Sequence, residues 1–240
     1  MKAFILAAGL GTRLRPLTDN QPKVMVEVGG KKILERTIEQ LKLAGVSDLL
    51  INTHYFPEVV KNYFGDGSKW GMKIQYSFEP EILGTAGGLK KCEDYFNNEK
   101  EFLVVYGDNV FKLDFGRLIS THQNKDSPAL VALFDRTKSP NSGIAGGVVE
   151  VQNGRIIKFW EGANSNDLNL VNAGVYILKP EIFKHIPKNT YYDFGKNVFP
   201  KLLDERIPIK AYILESQEAV FGIDTMESLR NTENYFKAQL

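Results

Sequence analysis

The sequence predicts an α/β fold, a mostly parallel central sheet with helices on both faces, joined to a small β-rich part in the second half. Three observations carry this expectation. Short apolar runs alternate with helical stripes as far as residue 135, the rhythm of repeated βαβ units. The first runs are apolar throughout, as in strands covered on both faces. From about residue 143 the character changes to strands joined by tight turns, with a strong hairpin signal at Asn153-Gly154.

In chain order, residues 2–8 (KAFILAA) form the first buried strand. Residues 33–45 carry apolar side chains at 33, 34, 38, 41 and 44, a helical stripe ending on Gly45. Strands are expected over 47–53 and 72–78, with a helix over 57–65 between them. A helix over 85–96 has Thr85 as its expected cap. The run EFLVVYGDN (101–109) is a fourth strand that stops at Gly107-Asp108-Asn109, followed by a helix over 115–125 and a strand over 128–135. The hairpin about Asn153-Gly154 comes next, then a strand over 170–178, a short helix and a longer one over 192–205. Strands over 207–214 and 219–223 precede a last helix, where Asp224 at the N-cap and Glu227 at N3 suit a capping box. In such sheets ligands bind beyond the carboxyl ends of the strands, where the loop after residue 8 and Gly107-Asp108-Asn109 both fall.

Composition narrows the function. With 43% hydrophobic and 25% charged residues and a net charge of +1, the chain is neither a disordered polymer nor a general nucleic-acid binder. The single cysteine, Cys92, excludes an internal disulfide and reads as a buried structural thiol. His54, His122 and His185 are widely separated and have no metal-ligand spacing. No apolar run reaches the roughly 18 residues of a membrane span. The opening MKAFILAAG enters a glycine turn instead of a signal-peptide core. A cytoplasmic protein with no membrane or nucleic-acid partner is therefore expected. No repeat, low-complexity tract or linker divides it, so residues 1–240 are expected to form a single domain.

The segment after the first strand carries the chemistry. Gly9 and Gly11 start a G-x-G-x-x-G fingerprint, but Leu14 stands at its sixth position and Arg15-Pro16 follows. That excludes the tight strand-to-helix turn of dinucleotide binders. No Gly-Lys-Ser/Thr follows, so it is not a P-loop either. A longer loop remains, in which the glycines allow close approach of backbone amides, Arg13 offers a bidentate fork and Lys23 a point charge for a polyphosphate. The bland reading is a solvated basic loop, which leaves the paired glycines unexplained.

The stretch LAAGLGTRLRPLTDNQPK (6–23) resembles the signature of nucleoside-diphosphate-sugar pyrophosphorylases, the sugar-1-phosphate nucleotidyltransferases. LGTAGGL (83–89), GDN (107–109), NAGVYIL (172–178) and GID (222–224) extend the likeness in the family's order over most of the chain. The nearest look is to the mannose- or heptose-1-phosphate guanylyltransferase branch. The resemblance implies a Rossmann-like nucleotide-diphospho-sugar transferase fold, with residues 1–135 as the nucleotide half and 136–240 as the sugar half and C-terminal helix. It implies transfer of a nucleotidyl group from a nucleoside triphosphate to a sugar 1-phosphate, in the supply of nucleotide sugars for cell-surface polysaccharide. GTP with a mannose- or heptose-type phosphate is the first expectation, and UTP or dTTP with a glucose- or amino-sugar phosphate the alternative.

Residue by residue, the resemblance places Arg13 and Lys23 on the phosphates as catalytic groups. Leu6, Ala8, Gly9, Gly11, Thr12, Glu79, Gly84 and Thr85 join Arg13 around the nucleotide. Asp108 and Asp224 become ligands of Mg²⁺, a cation held by few carboxylates plus phosphate oxygens. Turn chemistry at Gly107-Asp108-Asn109 and capping by Asp224 are the bland alternatives. Gly146, Glu161, Asn172 and Lys196 are expected at the sugar. Many relatives have a lysine after the glutamate, where this chain has Gly162. Lys158 would project from the opposite face of an extended strand, so Lys196 is the other candidate for the sugar phosphate. A non-catalytic nucleotide- or sugar-sensing module is the rival from another class; the missing lysine favours it and the four retained charges oppose it. Self-association into a homo-oligomer stays open. No β-helix repeat of the kind appended to some relatives follows, so no second domain is expected.

Overall fold

The computed structural model describes residues 1–122, 126–138, 142–144, 146–161 and 168–237. Among these described residues are thirteen strands and seven α-helices, joined by 3₁₀ turns and one π turn. From the first half come β1 (Lys2–Leu6), β2 (Glu27–Val28), β3 (Lys31–Lys32), α1 (Ile33–Leu43), β4 (Asp48–Thr53), α2 (Pro57–Phe64), β5 (Lys73–Phe78), α3 (Gly84–Lys91) and α4 (Glu93–Phe96). Then follow β6 (Phe102–Tyr106), β7 (Asn109–Lys112), α5 (Phe115–Thr121) and β8 (Ala129–Asp135). The second half adds β9 (Val148–Gln152), β10 (Arg155–Trp160), β11 (Leu170–Leu178), α6 (Phe199–Asp204), β12 (Ile209–Ile213), β13 (Ala219–Gly222) and α7 (Met226–Lys237).

Nine strands form one sheet in the order β5-β4-β1-β6-β11-β8-β12-β10-β9. β1 runs parallel to β4 and β6, and β12 parallel to β8. β11 enters antiparallel between β6 and β8, and β10 pairs antiparallel with both β12 and β9. The expected parallel core is thus present, with a mixed second half. Its two faces are covered by separate apolar clusters, one around Ile5, Leu34 and Val105 and the other around Phe4, Tyr176 and Phe199. Successive residues Phe4 and Ile5 feed opposite faces and both are fully buried, which is why β1 reads as a continuous apolar run.

Turn chemistry accounts for several boundaries. Asn153 and Gly154 both take positive φ, 51° and 71°, the conformation that a two-residue hairpin requires. The expected helix over 85–96 is instead two helices broken at Cys92, which is buried. The expected helix over 192–205 opens with a π turn at Phe194–Val198 before α6. The strand expected over 219–223 is β13, but its pairing with β7, which sets Asn109 against Gly222, and the small ribbon β2–β3 escaped the sequence pattern. Among the described residues no helix is long and apolar enough to cross a membrane.

The cap of α7 differs from expectation by one residue. Thr225 Oγ1 accepts the N–H of Ser228 at 3.1 Å, and Ser228 Oγ accepts the N–H of Thr225 at 2.9 Å. This reciprocal pair is the capping box, so Glu227 has no part in it and the Asp224 carboxylate is left for other partners.

Candidate active site

The carboxyl ends of β1, β4, β5 and β6 open on a cleft of about 430 Å³, where doubly wound sheets bind ligands. Leu6 and Ala8 at the end of β1, with Gly9, Gly11, Thr12 and Arg13, form one wall. Gly9 has open space where a Cβ would stand, so its bareness benefits only an incoming ligand. Gly11 differs: its φ is 61° and a Cβ would come within 2.9 Å of the Lys23 Cβ, so the fold itself demands glycine there.

A four-charge cluster crosses the mouth of the cleft. Lys23 Nζ lies 2.7 Å from Asp108 Oδ2 and 2.6 Å from Asp224 Oδ1. Arg13 Nη2 is 3.1 Å from the same Asp224 oxygen, with its side chain 67% exposed. Asp108 follows β6 by two residues and Asp224 follows β13 by two; the β7–β13 ribbon holds these ends together. Burial pushes the Lys23 pKa down, but the charges and hydrogen bonds of the two aspartates outweigh it, so the ammonium lies above its ordinary value. Two carboxylates converging on one buried cation are also a donor set that suits Mg²⁺, which takes few protein oxygens and fills its shell with phosphate and water. The residues present fit that ion.

The opposite wall is the segment 79–85. Glu79 is fully buried, its carboxylate accepting from Asn52 Nδ2 at 2.7 Å and from the Leu83 N–H at 3.0 Å. Thr85 is not a self-contained cap. Its hydroxyl donates to Asp193 Oδ1 at 2.9 Å and accepts the Phe194 N–H at 2.9 Å, while the Tyr192 carbonyl accepts the N–H groups of Ala86 and Gly87. The orphan amides at the start of α3 are therefore capped from the second half of the chain. A Cβ on Gly84 would meet the Tyr192 carbonyl at 2.7 Å, and one on Gly87 the Thr190 carbonyl at 2.5 Å. The glycines of LGTAGGL thus admit this docking segment more than they admit a base.

Asp193 is one of the lining residues that sequence reasoning missed, with Asn52, Ile82, Tyr106 and Tyr191 among the others. Asp193 falls in the first turn of the helix expected over 192–205, where nothing local marks it out, and its carboxylate accepts from Thr85 at the start of α3. Of the sugar-side candidates, Glu161 lies within electrostatic reach of Asp193 and Lys196, and none of Gly146, Glu161, Asn172 and Lys196 lines the cleft itself. The Glu161 carboxylate takes the Gly147 N–H and packs against Gly195; burial and Asp193 push its pKa up against the opposing pull of Lys196. Asn172 is buried, with its N–H on the Gly147 carbonyl, its Nδ2 donating to the Tyr176 hydroxyl at 2.7 Å and its Oδ1 accepting from Gly174. A Cβ on Gly146 would sit 3.0 Å from the Asn172 carbonyl. Lys158 turns away onto Glu150 at 3.2 Å despite a register shift in its strand. Gly162 lies outside the described residues.

The sequence pattern of the family described as Nucleotidyl transferase matches residues 2–218. The chain belongs to that family. Among its family relatives, the UTP–glucose-1-phosphate uridylyltransferase of Synechocystis sp. is 36% identical over 236 residues, 92% of this chain and 60% of that protein. The mannose-1-phosphate guanylyltransferase catalytic subunit beta of Dictyostelium discoideum is 35% identical over 204 residues, 84% of this chain and 56% of that protein. The chain therefore spans less than two thirds of either relative. Among solved structures, a Bacillus anthracis protein in complex with sucrose superposes with a TM-score of 0.86 at 23% identity, covering 98% of this chain and 94% of that one. HddC from Yersinia pseudotuberculosis, complexed with GMP-PN, gives 0.79 at 24% identity, covering 98% and 99%. These two share the nucleotide-diphospho-sugar transferase fold with this chain.

Proposed function

We propose that the chain transfers a nucleotidyl group from a nucleoside triphosphate to a sugar 1-phosphate. The observation that carries this reading is the convergence of Arg13, Lys23, Asp108 and Asp224 at the mouth of a cleft whose first wall is the bare Gly9 loop. A sugar-phosphate oxygen forms a bond to the α-phosphorus while the bond to the β-phosphate oxygen breaks, releasing pyrophosphate. The attacking phosphate is already ionised, so no protein nucleophile is required, and catalysis comes from positioning and charge. Arg13, the most exposed of the four charges, reaches the departing pyrophosphate. Lys23 exchanges its carboxylate partners for phosphate oxygens when the triphosphate enters. Asp108 and Asp224 would hold Mg²⁺, which supplies neutralisation of phosphate charge.

Residues 1–135 supply the nucleotide wall and 136–240 the sugar side, with Glu161 for sugar hydroxyls and Lys196 for the sugar phosphate. Gly146 and Asn172 frame that side from behind. For the substrates, GTP with a mannose- or heptose-type phosphate is the first assignment, supported by the guanylyltransferase among the relatives. UTP with glucose 1-phosphate is the second reading, favoured by the match over 92% of the chain to the uridylyltransferase. Pyrophosphate release across a matrix of nucleoside triphosphates and sugar 1-phosphates tests both. Release that depends on both substrates supports the reading; a chain that binds them without turnover is a sensing module instead.

A further inference from the structure

In the lining of the cleft lies a buried polar pair that none of the phosphate or metal chemistry uses. Asn52 lies one residue from the end of β4 and Glu79 follows β5 directly; they are 1% and 0% exposed. Asn52 Oδ1 accepts the N–H of Ala7 at 2.6 Å, and Asn52 Nδ2 donates to Glu79 Oε1 at 2.7 Å. The second Glu79 oxygen accepts the N–H of Leu83 at 3.0 Å. The chain of bonds runs from the first residue past β1, where the glycine loop begins, to the residue before α3. A Cβ on Gly88 would collide with Glu79 Oε1, so α3 is seated against the pair as well.

Every bond in this relay matches a donor to an acceptor. In a dry site a donor without its acceptor carries a full desolvation cost, so the relay favours one spacing between its ends over any other. Those ends are the two walls that face each other across the nucleoside part of the cleft. We propose that Asn52 and Glu79 are positioning residues for the nucleoside: a strut that sets the separation of the loop at 7–9 from the segment at 82–85. The inference rests on the nucleotidyl-transfer reading above. Glu79 then acts on the base through Leu83, and Asn52 through Ala7, with neither side chain touching it.

A reciprocal swap tests this. Glu79→Gln alone puts an amide donor against a donor, and Asn52→Asp alone sets carboxylate against carboxylate. In the double variant N52D/E79Q the carboxylate at 52 accepts from Ala7 and from the amide at 79, whose carbonyl accepts from Leu83, so all three bonds return. For each protein, KM for GTP and UTP, KM for the sugar phosphate, kcat and the melting temperature are measured. Each single variant should raise the nucleotide KM about tenfold or more while the sugar-phosphate KM stays within about twofold, and the double variant should recover most of the loss. Single variants with wild-type nucleotide KM and only a lower melting temperature show a merely structural pair and overturn the inference. A double variant no better than the worse single does so too. Should Asn52→Asp not fold, Asn52→Ser, which keeps an acceptor for Ala7 and lacks the amide for Glu79, is read in the same way. A wild-type chain inactive with every substrate pair overturns the parent reading and the strut with it, a result distinct from an active wild type with unmoved KM.

Discussion

Lys23 reaches across 85 residues to Asp108 and 201 to Asp224, with its side chain only 8% exposed. The three residue types are visible in the motifs, but nothing in their spacing shows that one ammonium sits between both carboxylates. That grouping arises from the β7–β13 ribbon, whose four-residue strands lie more than a hundred residues apart in the chain and carry no local signal of their pairing. Because the folded pKa of Lys23 lies above its unfolded value of about 10.4, its contribution to stability is whole at lower pH and is lost as pH rises through the folded value. The melting-temperature difference between wild type and Lys23→Met should therefore stay constant from about pH 6 to 9 and shrink above about 10.5. The same variant leaves two carboxylates facing each other without a cation. It should bind Mn²⁺ without nucleotide about tenfold more tightly than wild type, read by electron paramagnetic resonance. Glycines divide by what their missing side chain faces. Gly9→Ala, in open space, should leave the melting temperature nearly unchanged while lowering turnover. Gly88→Ala, colliding with Glu79, should cost about 1–3 kcal/mol of stability by denaturant titration.

Whole elements were legible where their apolar pattern is long. The buried strands and α1 follow directly from periodicity, and the Asn153-Gly154 turn follows from the φ it requires. Elements capped or broken by distant partners were not. The start of α3 depends on Tyr192 and Asp193, more than a hundred residues downstream, and no local signal encodes that docking. At α7 the sequence pattern points to Asp224 with Glu227, and only the reciprocal bond with Ser228 shows that Thr225 is the cap. Thr225→Ala should cost about 1 kcal/mol in thermal or denaturant unfolding, whereas Glu227→Ala should cost little. The reverse order would restore the capping register read from the sequence.

At the scale of the molecule, the sheet order interleaves the two halves: β11, from the second, lies between β6 and β8 of the first. A fragment of residues 1–135 would leave β6 and β8 without the strand between them, and should show no cooperative unfolding transition by circular dichroism. The same interleaving runs β11 antiparallel to β6, which leads into Asp108, so Asn172, just before the paired stretch Val175–Leu178, falls at the same end of the sheet. The loop after β1, the aspartates and the strand β11 were each readable as motifs; their grouping was not, because β11 runs antiparallel to β6 and Asp224 follows a strand of the separate β7–β13 ribbon. Pyrophosphate release by wild type and Asp108→Asn, with paired nucleoside triphosphates and sugar 1-phosphates at moderate Mg²⁺, tests the proposed reaction most directly. Wild type should release pyrophosphate only when a triphosphate and a sugar phosphate are both present, and Asp108→Asn should fall by about a hundredfold or more. No release with any pair, or near-normal release by Asp108→Asn, would contradict it.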